Sequence, residues 1–351
     1  MQLVINTFGA SLRRKEELFE VRVGDRKVPV AARTISSVLI GTGAHFSSDC
    51  IDLALEQNID VVLLDKFGQP KGRFWPAKMG STAAIRRAQL LCAETPEGVE
   101  IVIGWTRTKL ENARAFLGDL ARKRPARSAD FDEACTKIGE QVESLDQLNG
   151  SVDERRFEIL GAEGAAATAY WQLIGTLPPR NFRFTGRSKH PAMDPFNAML
   201  NYAYGVLYSM ADRACIVAGL DPFVGILHTD NYNKRSLTFD LIEPFRIWAD
   251  RVVLKLFTGR RCKEAMFHRG KNGVVLEKEA KELLLESLNE YLDQRIRYKC
   301  KSGKKIKTRQ IKRRDSMQAE AHTFANRLLG KDGGLPEVLA TEEIFADAED
   351  E

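Results

Sequence analysis

The chain has 351 residues, of which 44% are hydrophobic and 29% are charged, and its formal net charge is +5. That length suggests about two domains, by a prior of roughly 150 residues each. The composition is that of a soluble globular protein, and no apolar run approaches the ~20 residues that a membrane span needs, which excludes a membrane-spanning chain.

The first part of the chain, residues 1–78, is predicted to be a small β-rich domain. "LFEVRV" (18–23) alternates apolar and polar residues, and "RTISSVLIG" (33–41) and "DVVLLD" (60–65) are β-branched runs bounded by turn residues. "SSDCIDLALEQN" (47–58) has the spacing of a helix. The opening residues lack the pattern of a secretory signal, so we expect a cytoplasmic protein.

Beyond a linker at 76–82, the period of the apolar residues becomes helical. Segments such as "GWTRTKLENARAFLGDLAR" (104–122) and "FNAMLNYAYGVLYSMADRACIVAG" (196–219) carry apolar residues three and four positions apart. We therefore predict an all-α domain over residues 83–330. The fold class is α+β multidomain, and residues 331–351 form an acidic tail that we expect to be disordered.

The basic residues are concentrated near the end of the second domain. Residues 299–314, "KCKSGKKIKTRQIKRR", hold nine Lys or Arg and no acid. Such a run suits a polyanion, and nucleic acid is the polyanion that we expect in a cytoplasmic protein. The alternative is a solvated basic loop without a partner.

Glu163 is a candidate functional residue because of its neighbours. In "ILGAEGAAATAYWQLIG" it lies among glycines and alanines, which let a helix approach a neighbouring element closely. A carboxylate buried in such a place needs a compensating cation. The alternative is a small-residue packing face with Glu163 on the opposite, solvated face.

A second candidate is "LHTDNYNKRSLTFDLIEPFR" (227–246). Asp240 and Glu243 are three residues apart and share a face if they lie on one helix. The same letters also resemble a capped helix start, with Asp240 as the N-cap, Glu243 completing a capping box and Pro244 in the first turn. His228 alone is more often a structural histidine than a ligand.

Taken together, Glu163, His228 and Glu243 supply two carboxylates and one imidazole, with Asp240 beside them. This donor set suits Mn²⁺ or Mg²⁺ better than Zn²⁺, since it has no thiolate and only one histidine. A hard divalent ion in a basic protein points to phosphodiester chemistry. The sequence lacks GxSxG, the Walker loop, HExxH, GxGxxG and any CxxC pair, which argues against several common enzyme classes and a structural zinc site.

The chain resembles the CRISPR-associated integrase family, the universal first adaptation protein of CRISPR loci. The matching stretches are "LGAEGAAATAYW", "DPFNAMLNYAYGVLY" (194–208), "GLDPFVGILHTDNYNKRSLTFDLIEPFR" (219–246) and "KNGVVLEKEAKELLLESL". The β-rich residues "VLIGTGAHFSSDCIDLALEQNIDVVLLDKFGQPKGRF" also fit, so the resemblance covers residues 1–330.

The resemblance implies a β-sandwich-like N-terminal domain, a helical catalytic domain and a homodimer. It places the catalytic metal ligands on Glu163, His228 and Glu243, with Asp240 as a supporting acid and Mn²⁺ or Mg²⁺ as the cofactor. Two dimers bridged by a small partner protein would form a heterohexamer. That assembly would insert spacer DNA into the CRISPR array by attack of its 3′-hydroxyl ends on the repeat.

Further basic residues are predicted to contact DNA phosphates, which give affinity but little sequence discrimination. They are Arg246, Arg251, Lys299, Lys301, Lys304, Lys305, Lys307, Arg309, Lys312, Arg313 and Arg314. For Arg246 and Arg251, intramolecular ion pairs are an equal alternative. Tyr170 and Trp171 are predicted to be core residues, and Asn197 and Asn201 to bridge helices by hydrogen bonds.

Two other functions stay open from the residues. One is a general metal-dependent nuclease that acts on branched DNA in repair or transposition. The other is a non-catalytic scaffold that binds DNA through its basic surface.

Overall fold

A computed structural model describes most of the chain. The described residues are 2–35, 37–57, 59–65, 70–74, 83–229, 232, 234–271, 273–302 and 305–330. The chain divides into two compact units, Met1–Met79 and Gly80–Glu351. The predicted linker and the acidic tail (331–351) lie outside the described residues.

Among its described residues, the first unit contains two four-stranded sheets and one α-helix. Its elements are β1 (Gln2–Ile5), β2 (Ser11–Lys15), β3 (Leu18–Val23), β4 (Arg26–Ala31), β5 (Ser37–Ile40), β6 (His45–Phe46), α1 (Ser48–Glu56), β7 (Asp60–Leu64) and β8 (Pro70–Phe74). One sheet has the order β1-β5-β7-β8, with β8 antiparallel to three parallel strands. The other has the order β4-β3-β2-β6. The predicted strands at 18–23 and 60–64 and the helix after residue 47 are confirmed.

One apolar core joins the two sheets and the helix. Leu12 and Phe19 come from the second sheet, Val38 and Val61 from the first and Leu53 from α1, and all are buried. The apolar face of "LFEVRV" points to this core: Phe19 is fully buried and Val21 packs against the core, whereas Val23, on the same face at the strand end, is exposed. The finer arrangement, a β-sandwich, stays a prediction.

The second unit is mainly helical. Its elements are α2 (Ala83–Cys92), α3 (Pro96–Arg122), α4 (Ser128–Leu145), α5 (Val152–Ile174), α6 (Pro195–Val217), α7 (Ser236–Ile242), α8 (Ile247–Thr258), β9 (Phe267–Gly270), β10 (Gly273–Leu276), α9 (Lys278–Asp293), β11 (Arg295–Ser302), β12 (Lys305–Lys312) and α10 (Arg313–Leu328). The mixed α+β class with a larger helical part is confirmed. Among the described residues, no helix is long and apolar enough to cross a membrane.

The prediction of an all-α second domain is wrong, because β9–β10 and β11–β12 are antiparallel pairs. Strand β11 pairs with β12 from Arg295↔Lys312 to Ser302↔Lys305, so most of the basic run belongs to a hairpin. Gly303 is a turn signal in the sequence that the charge of this segment obscured.

Two long helices carry the residues of interest and begin at well-formed caps. Thr95 Oγ1 accepts a hydrogen bond from Gly98 N at 3.1 Å at the start of α3, and Pro96 occupies the first turn. Ser151 and Glu154 form a capping box at the start of α5. These caps satisfy backbone donors that a helix leaves free and set where each helix begins.

A buried acid of α10 is expected to make stability depend on pH. Glu320 is 3% exposed, Trp105 Nε1 donates to its Oε1 at 2.8 Å, and its Oε2 is buried without a hydrogen bond. Burial raises the pKa of Glu320 from 4.5 to about 7, although the hydrogen bond from Trp105 opposes the shift. The folded state thus keeps a proton that the unfolded state releases, and stability falls as pH rises from 4.5 to 7.

We expect Glu320→Gln to remove this loss. The variant should be more stable than the wild type at pH 8, by a few kcal/mol at most, since one pKa unit corresponds to about 1.4 kcal/mol. The difference should shrink toward pH 4.5. Urea unfolding between pH 4.5 and 8 measures it, with the exposed Glu286→Gln as the control. Parallel pH profiles of wild type and Glu320→Gln would contradict the assignment.

Candidate active site

Two of the predicted ligands meet on a lysine. Lys109 Nζ, from the middle of α3, lies 2.5 Å from Glu163 Oε1 of α5 and 2.5 Å from Glu243 Oε2. The side chains are 19%, 18% and 7% exposed, so the contact is largely removed from water. Three segments far apart in the sequence are therefore joined by one buried charge.

Glu243 lies in a 3₁₀ turn, Glu243–Phe245, between α7 and α8. Its Oε1 accepts a hydrogen bond from Arg246 Nη1 at 2.8 Å, while its Oε2 is buried and accepts no hydrogen bond of ordinary geometry. Burial alone raises the pKa of Glu243, but the charges of Arg246 and Lys109, with a smaller contribution from His228, lower it to about 2. Glu243 is therefore ionised at neutral pH.

Lys109 is charged as well. Burial lowers the pKa of its ammonium group, but the nearby carboxylates of Glu243 and Glu163 outweigh this effect and raise the pKa above the ordinary value. A cation between two anions is the arrangement that offsets the desolvation of all three groups.

Asp240 positions His228. Its Oδ2 accepts hydrogen bonds from Ile226 N at 2.7 Å and Leu227 N at 3.1 Å, and its Oδ1 accepts one from His228 N at 3.0 Å. The same Oδ1 lies 2.6 Å from His228 Nδ1. When Nδ1 carries the proton, Nε2 has the lone pair that a metal ligand needs.

The predicted capping box at Asp240 is wrong. Asp240 lies inside α7, not at a helix start, and α8 begins after Arg246 without a side-chain cap. The acid bonds the segment 226–228 instead, so it orders the histidine rather than a helix end.

The small residues around Glu163 lie on two faces of α5, and only one of these faces packs within this unit. Gly161, Gly164 and Ala165 are exposed, and a Cβ on either glycine would meet nothing within 4 Å. Ala162 and Ala166 are buried, and Glu163 lies at the edge between the two faces.

A cavity of about 370 Å³ adjoins the carboxylates. Its walls include Lys109, Glu163, Trp171, Arg187, Lys189, Tyr204, Glu243, Arg246 and Asp250. Tyr170 is buried as predicted, whereas Trp171 is partly exposed and lines the cavity. Tyr170 Oη and Tyr204 Oη donate to Asp250 at 3.0 and 2.6 Å. Burial raises the pKa of Asp250, and these hydrogen bonds oppose the shift.

Asn197 and Asn201 hold a loop rather than bridging helices. Asn197 Nδ2 donates to Gly186 O at 2.9 Å, and Asn201 Nδ2 donates to Lys189 O at 2.7 Å. Both side-chain oxygens accept from the guanidinium of Arg187. The two asparagines therefore fix a basic loop against the cavity.

Sequence reasoning missed Lys109 and Arg187. A single lysine in an amphipathic helix and a single arginine in a loop give no local signal. Only the tertiary contacts show that Lys109 reaches two acids and that Arg187 lies 5.4 Å from the ring centres of both Trp171 and Tyr204.

Several predicted DNA contacts have partners inside the unit. Arg246 pairs with Glu243, and Arg251 pairs with Asp119 at 2.8 Å, which is the alternative that the sequence left open for both. Arg313 is 6% exposed and donates to Gln294 Oε1 at 2.7 Å.

The remaining predicted DNA contacts lie on or beside the basic hairpin. Arg314 and Lys312 pair with Asp293 at 2.9 and 3.3 Å. Lys299, Lys301, Lys305, Lys307 and Arg309 lie on strands β11 and β12, and Lys304 lies outside the described residues. DNA binding by any of these residues stays a prediction.

The donor set fits a hard divalent ion, although the side chains do not converge on one as they stand. Within the described part of the chain, no three acidic, histidine or cysteine side chains come close enough together to hold an ion. A lysine ammonium already lies between two of the predicted ligands. Two carboxylates with one imidazole are nevertheless ligands that Mn²⁺ and Mg²⁺ accept, and the Oε2 atom of Glu243 accepts no hydrogen bond of ordinary geometry beside its ion pair with Lys109.

The comparisons with known proteins agree with the sequence resemblance. The family model described as "CRISPR associated protein Cas1" matches residues 3–290. A curated relative, CRISPR-associated endonuclease Cas1 1 of Archaeoglobus fulgidus, is 35% identical over 312 residues, 85% of this chain and 90% of that protein. CRISPR-associated endonuclease Cas1 2 of Rhodospirillum rubrum is 31% identical over 84% of this chain and 87% of its own length.

Solved structures share the fold. A casposase bound to its integration product has a TM-score of 0.81 at 21% identity and covers 99% of this chain and 98% of its own. A Cas1 protein from Thermotoga maritima has a TM-score of 0.73 at 19% identity, covering 95% and 98%. Together with the family model and the curated relatives, these likenesses confirm the resemblance: the chain belongs to the Cas1 family of CRISPR-associated proteins.

Proposed function

We propose that this chain is a metal-dependent DNA integrase and endonuclease of CRISPR adaptation, which joins new spacer DNA to the CRISPR repeat. The observation that carries the proposal is the contact of Glu163 and Glu243 with one buried cation, Lys109, together with the orientation of His228 by Asp240. The curated relatives named as Cas1 endonucleases support it, and so does the fold shared with a casposase.

In this proposal Glu163, His228 and Glu243 would hold Mn²⁺ or Mg²⁺, and the imidazole favours Mn²⁺. When bound there, the ion would supply Lewis-acid chemistry to a phosphoryl oxygen and to an attacking 3′-hydroxyl or water. No covalent intermediate with the protein is needed. The reaction exchanges one phosphodiester bond for another in joining, or hydrolyses it in cleavage.

Other residues of the protein orient the proposed ligands and would neutralise the charge of a DNA phosphate. Asp240 keeps the His228 ring turned so that Nε2 is available, and Arg246 holds the Glu243 carboxylate in place at 2.8 Å. Arg187 and Lys189, on the loop fixed by Asn197 and Asn201, add positive charge to the cavity wall next to the carboxylates. A DNA phosphate entering that cavity would meet these cations.

The proposed partners are DNA, a second copy of this chain and a small adaptation protein that completes a heterohexamer. A structural neighbour is titled a Cas6-RT-Cas1–Cas2 complex, with a TM-score of 0.74 at 19% identity and coverage of 94% of this chain and 35% of that one. That title supports a partner of the Cas2 kind. We place the protein in the cytoplasm, where the CRISPR array is.

A second candidate function is a nuclease that acts on branched DNA in transposition or repair. The casposase likeness favours keeping it, because a protein with the same fold is named a casposase rather than a Cas1 protein. A branched DNA that mimics a half-integrated spacer separates the two functions, since the integrase joins strands and the nuclease only cuts.

We expect Glu243→Gln to lose at least about 100-fold of metal-dependent strand joining on branched DNA, because a metal ligand loses its charge. DNA affinity should change no more than about twofold, since phosphate contacts dominate binding. Gel assays with Mn²⁺, Mg²⁺ or EDTA measure both. The exposed Glu286→Gln should behave as the wild type. Joining by Glu243→Gln at the wild-type rate would remove Glu243 from the site, and EDTA-resistant joining would remove the metal.

Asp240→Asn tests the positioning of His228. Because the Asn amide cannot accept all the hydrogen bonds that the Asp240 carboxylate accepts, we expect the histidine to lose its orientation. The Mn²⁺ concentration for half-maximal joining should rise about 10- to 100-fold, with recovery at high Mn²⁺. A lower maximal rate with an unchanged Mn²⁺ dependence would argue that Asp240 is only structural.

The basic hairpin is expected to bind DNA phosphates. Replacing Lys301, Lys305 and Lys307 by Gln should weaken DNA binding and make its salt dependence shallower, by about 0.9 in log–log slope for each phosphate that the variant no longer neutralises. The control removes the same charge from the exposed Lys123, Lys137 and Lys278 on other elements. Equal slopes for the two triple variants would show that the hairpin does not bind DNA.

A further inference from the structure

The site contains a cation of its own. Lys109 Nζ is equally close, at 2.5 Å, to one oxygen of Glu163 and one oxygen of Glu243. These are the two carboxylates that bind a divalent ion under the proposed function, on which this inference rests.

We propose that Lys109 is a competing internal cation: it holds Glu163 and Glu243 together in the metal-free protein and must leave at least one of them when a divalent ion binds both. The lysine therefore sets how strongly the protein binds its metal. It also keeps two acids from repelling each other before the metal arrives.

Distance makes the two cations exclusive. The contacted oxygens are each 2.5 Å from Nζ, so they lie at most about 5 Å apart. A divalent ion held by both carboxylates would have to occupy the gap that Nζ now fills. An ammonium and a divalent ion in one gap would repel each other strongly in this buried place.

Burial makes the competition costly. Glu243 is 7% exposed and Lys109 19%, so water offsets little of the charge when the ion pair breaks. Removing one partner of a buried ion pair leaves an uncompensated charge. An ion that enters the site has to offset this loss in addition to its own dehydration.

The cavity gives the ammonium a place to go. Lys109 lines the cavity of about 370 Å³, whose walls also include Thr168, Gln172 and Thr185. A flexible four-carbon side chain can swing there without any movement of α3. The displacement is thus a change of one side chain, not of the fold.

The decisive measurement is Mn²⁺ binding without DNA, by titration calorimetry and by the electron paramagnetic resonance of free Mn²⁺. Lys109→Met removes the charge and keeps the stem, and Lys109→Arg keeps the charge. Lys123→Met removes one charge from the exposed end of the same helix as a matched control. Lys109→Gln serves as a second neutral variant in case the methionine disturbs folding.

We expect Lys109→Met and Lys109→Gln to bind Mn²⁺ about tenfold more tightly or better, which corresponds to about 1.4 kcal/mol. Their melting temperature without metal should fall, and the rise on adding Mn²⁺ should exceed that of the wild type. Lys109→Arg and Lys123→Met should resemble the wild type.

Equal Mn²⁺ affinity in wild type and both neutral variants would overturn the inference, and so would weaker binding in those variants. A different result would contradict the proposed function. If Glu243→Gln leaves Mn²⁺ binding unchanged, the carboxylates are not the metal site. If Glu243→Gln weakens binding while the neutral Lys109 variants do not strengthen it, only the role of Lys109 is refuted.

Discussion

A buried ammonium between two carboxylates is the interaction on which this site depends. Lys109, Glu163 and Glu243 come from α3, α5 and the turn before α8, and no pair of them is close in sequence. Each charge would be costly in this largely dry place without the others. The contact therefore selects one arrangement of three segments, and that arrangement brings the two acids to one point.

A third carboxylate, that of Asp240, fixes the position of the histidine. Asp240, with 1% of its side chain exposed, accepts hydrogen bonds from three successive backbone amides and touches His228 Nδ1. A segment without regular structure thus gains a defined shape from one acid. Both interactions are electrostatic. The Lys109 ammonium neutralises two carboxylates, whereas the Asp240 carboxylate accepts hydrogen bonds that fix the backbone of residues 226–228.

The sequence predicts the individual elements and the acidic residues of this site better than the long-range contacts between them. The strand at Leu18–Val23 follows from alternation, and the acids were found because their residue types suit a metal. The capping role given to Asp240 failed, since local spacing cannot distinguish a helix start from a long-range contact. Lys109 was missed for the same reason, because nothing in the sequence distinguishes it from the basic residue two positions earlier. That residue, Arg107, is 38% exposed and pairs with Asp146. The hairpin β11–β12 was not predicted, because the high charge of the segment was given more weight than the turn signal of Gly303.

Under the proposed function, the charge of the cavity couples the binding of the metal to the binding of DNA. Four basic and three acidic side chains line the cavity, and two tyrosines donate hydrogen bonds to one of the acids, Asp250. The basic residues are Lys109, Arg187, Lys189 and Arg246. A divalent ion that enters and releases Lys109 adds positive charge to a wall that is already basic. The anion that best offsets this surplus is a phosphodiester, which accepts hydrogen bonds from arginine and lysine and binds the ion through its oxygens. Metal and DNA should therefore strengthen each other's binding, because each supplies the charge that the other lacks.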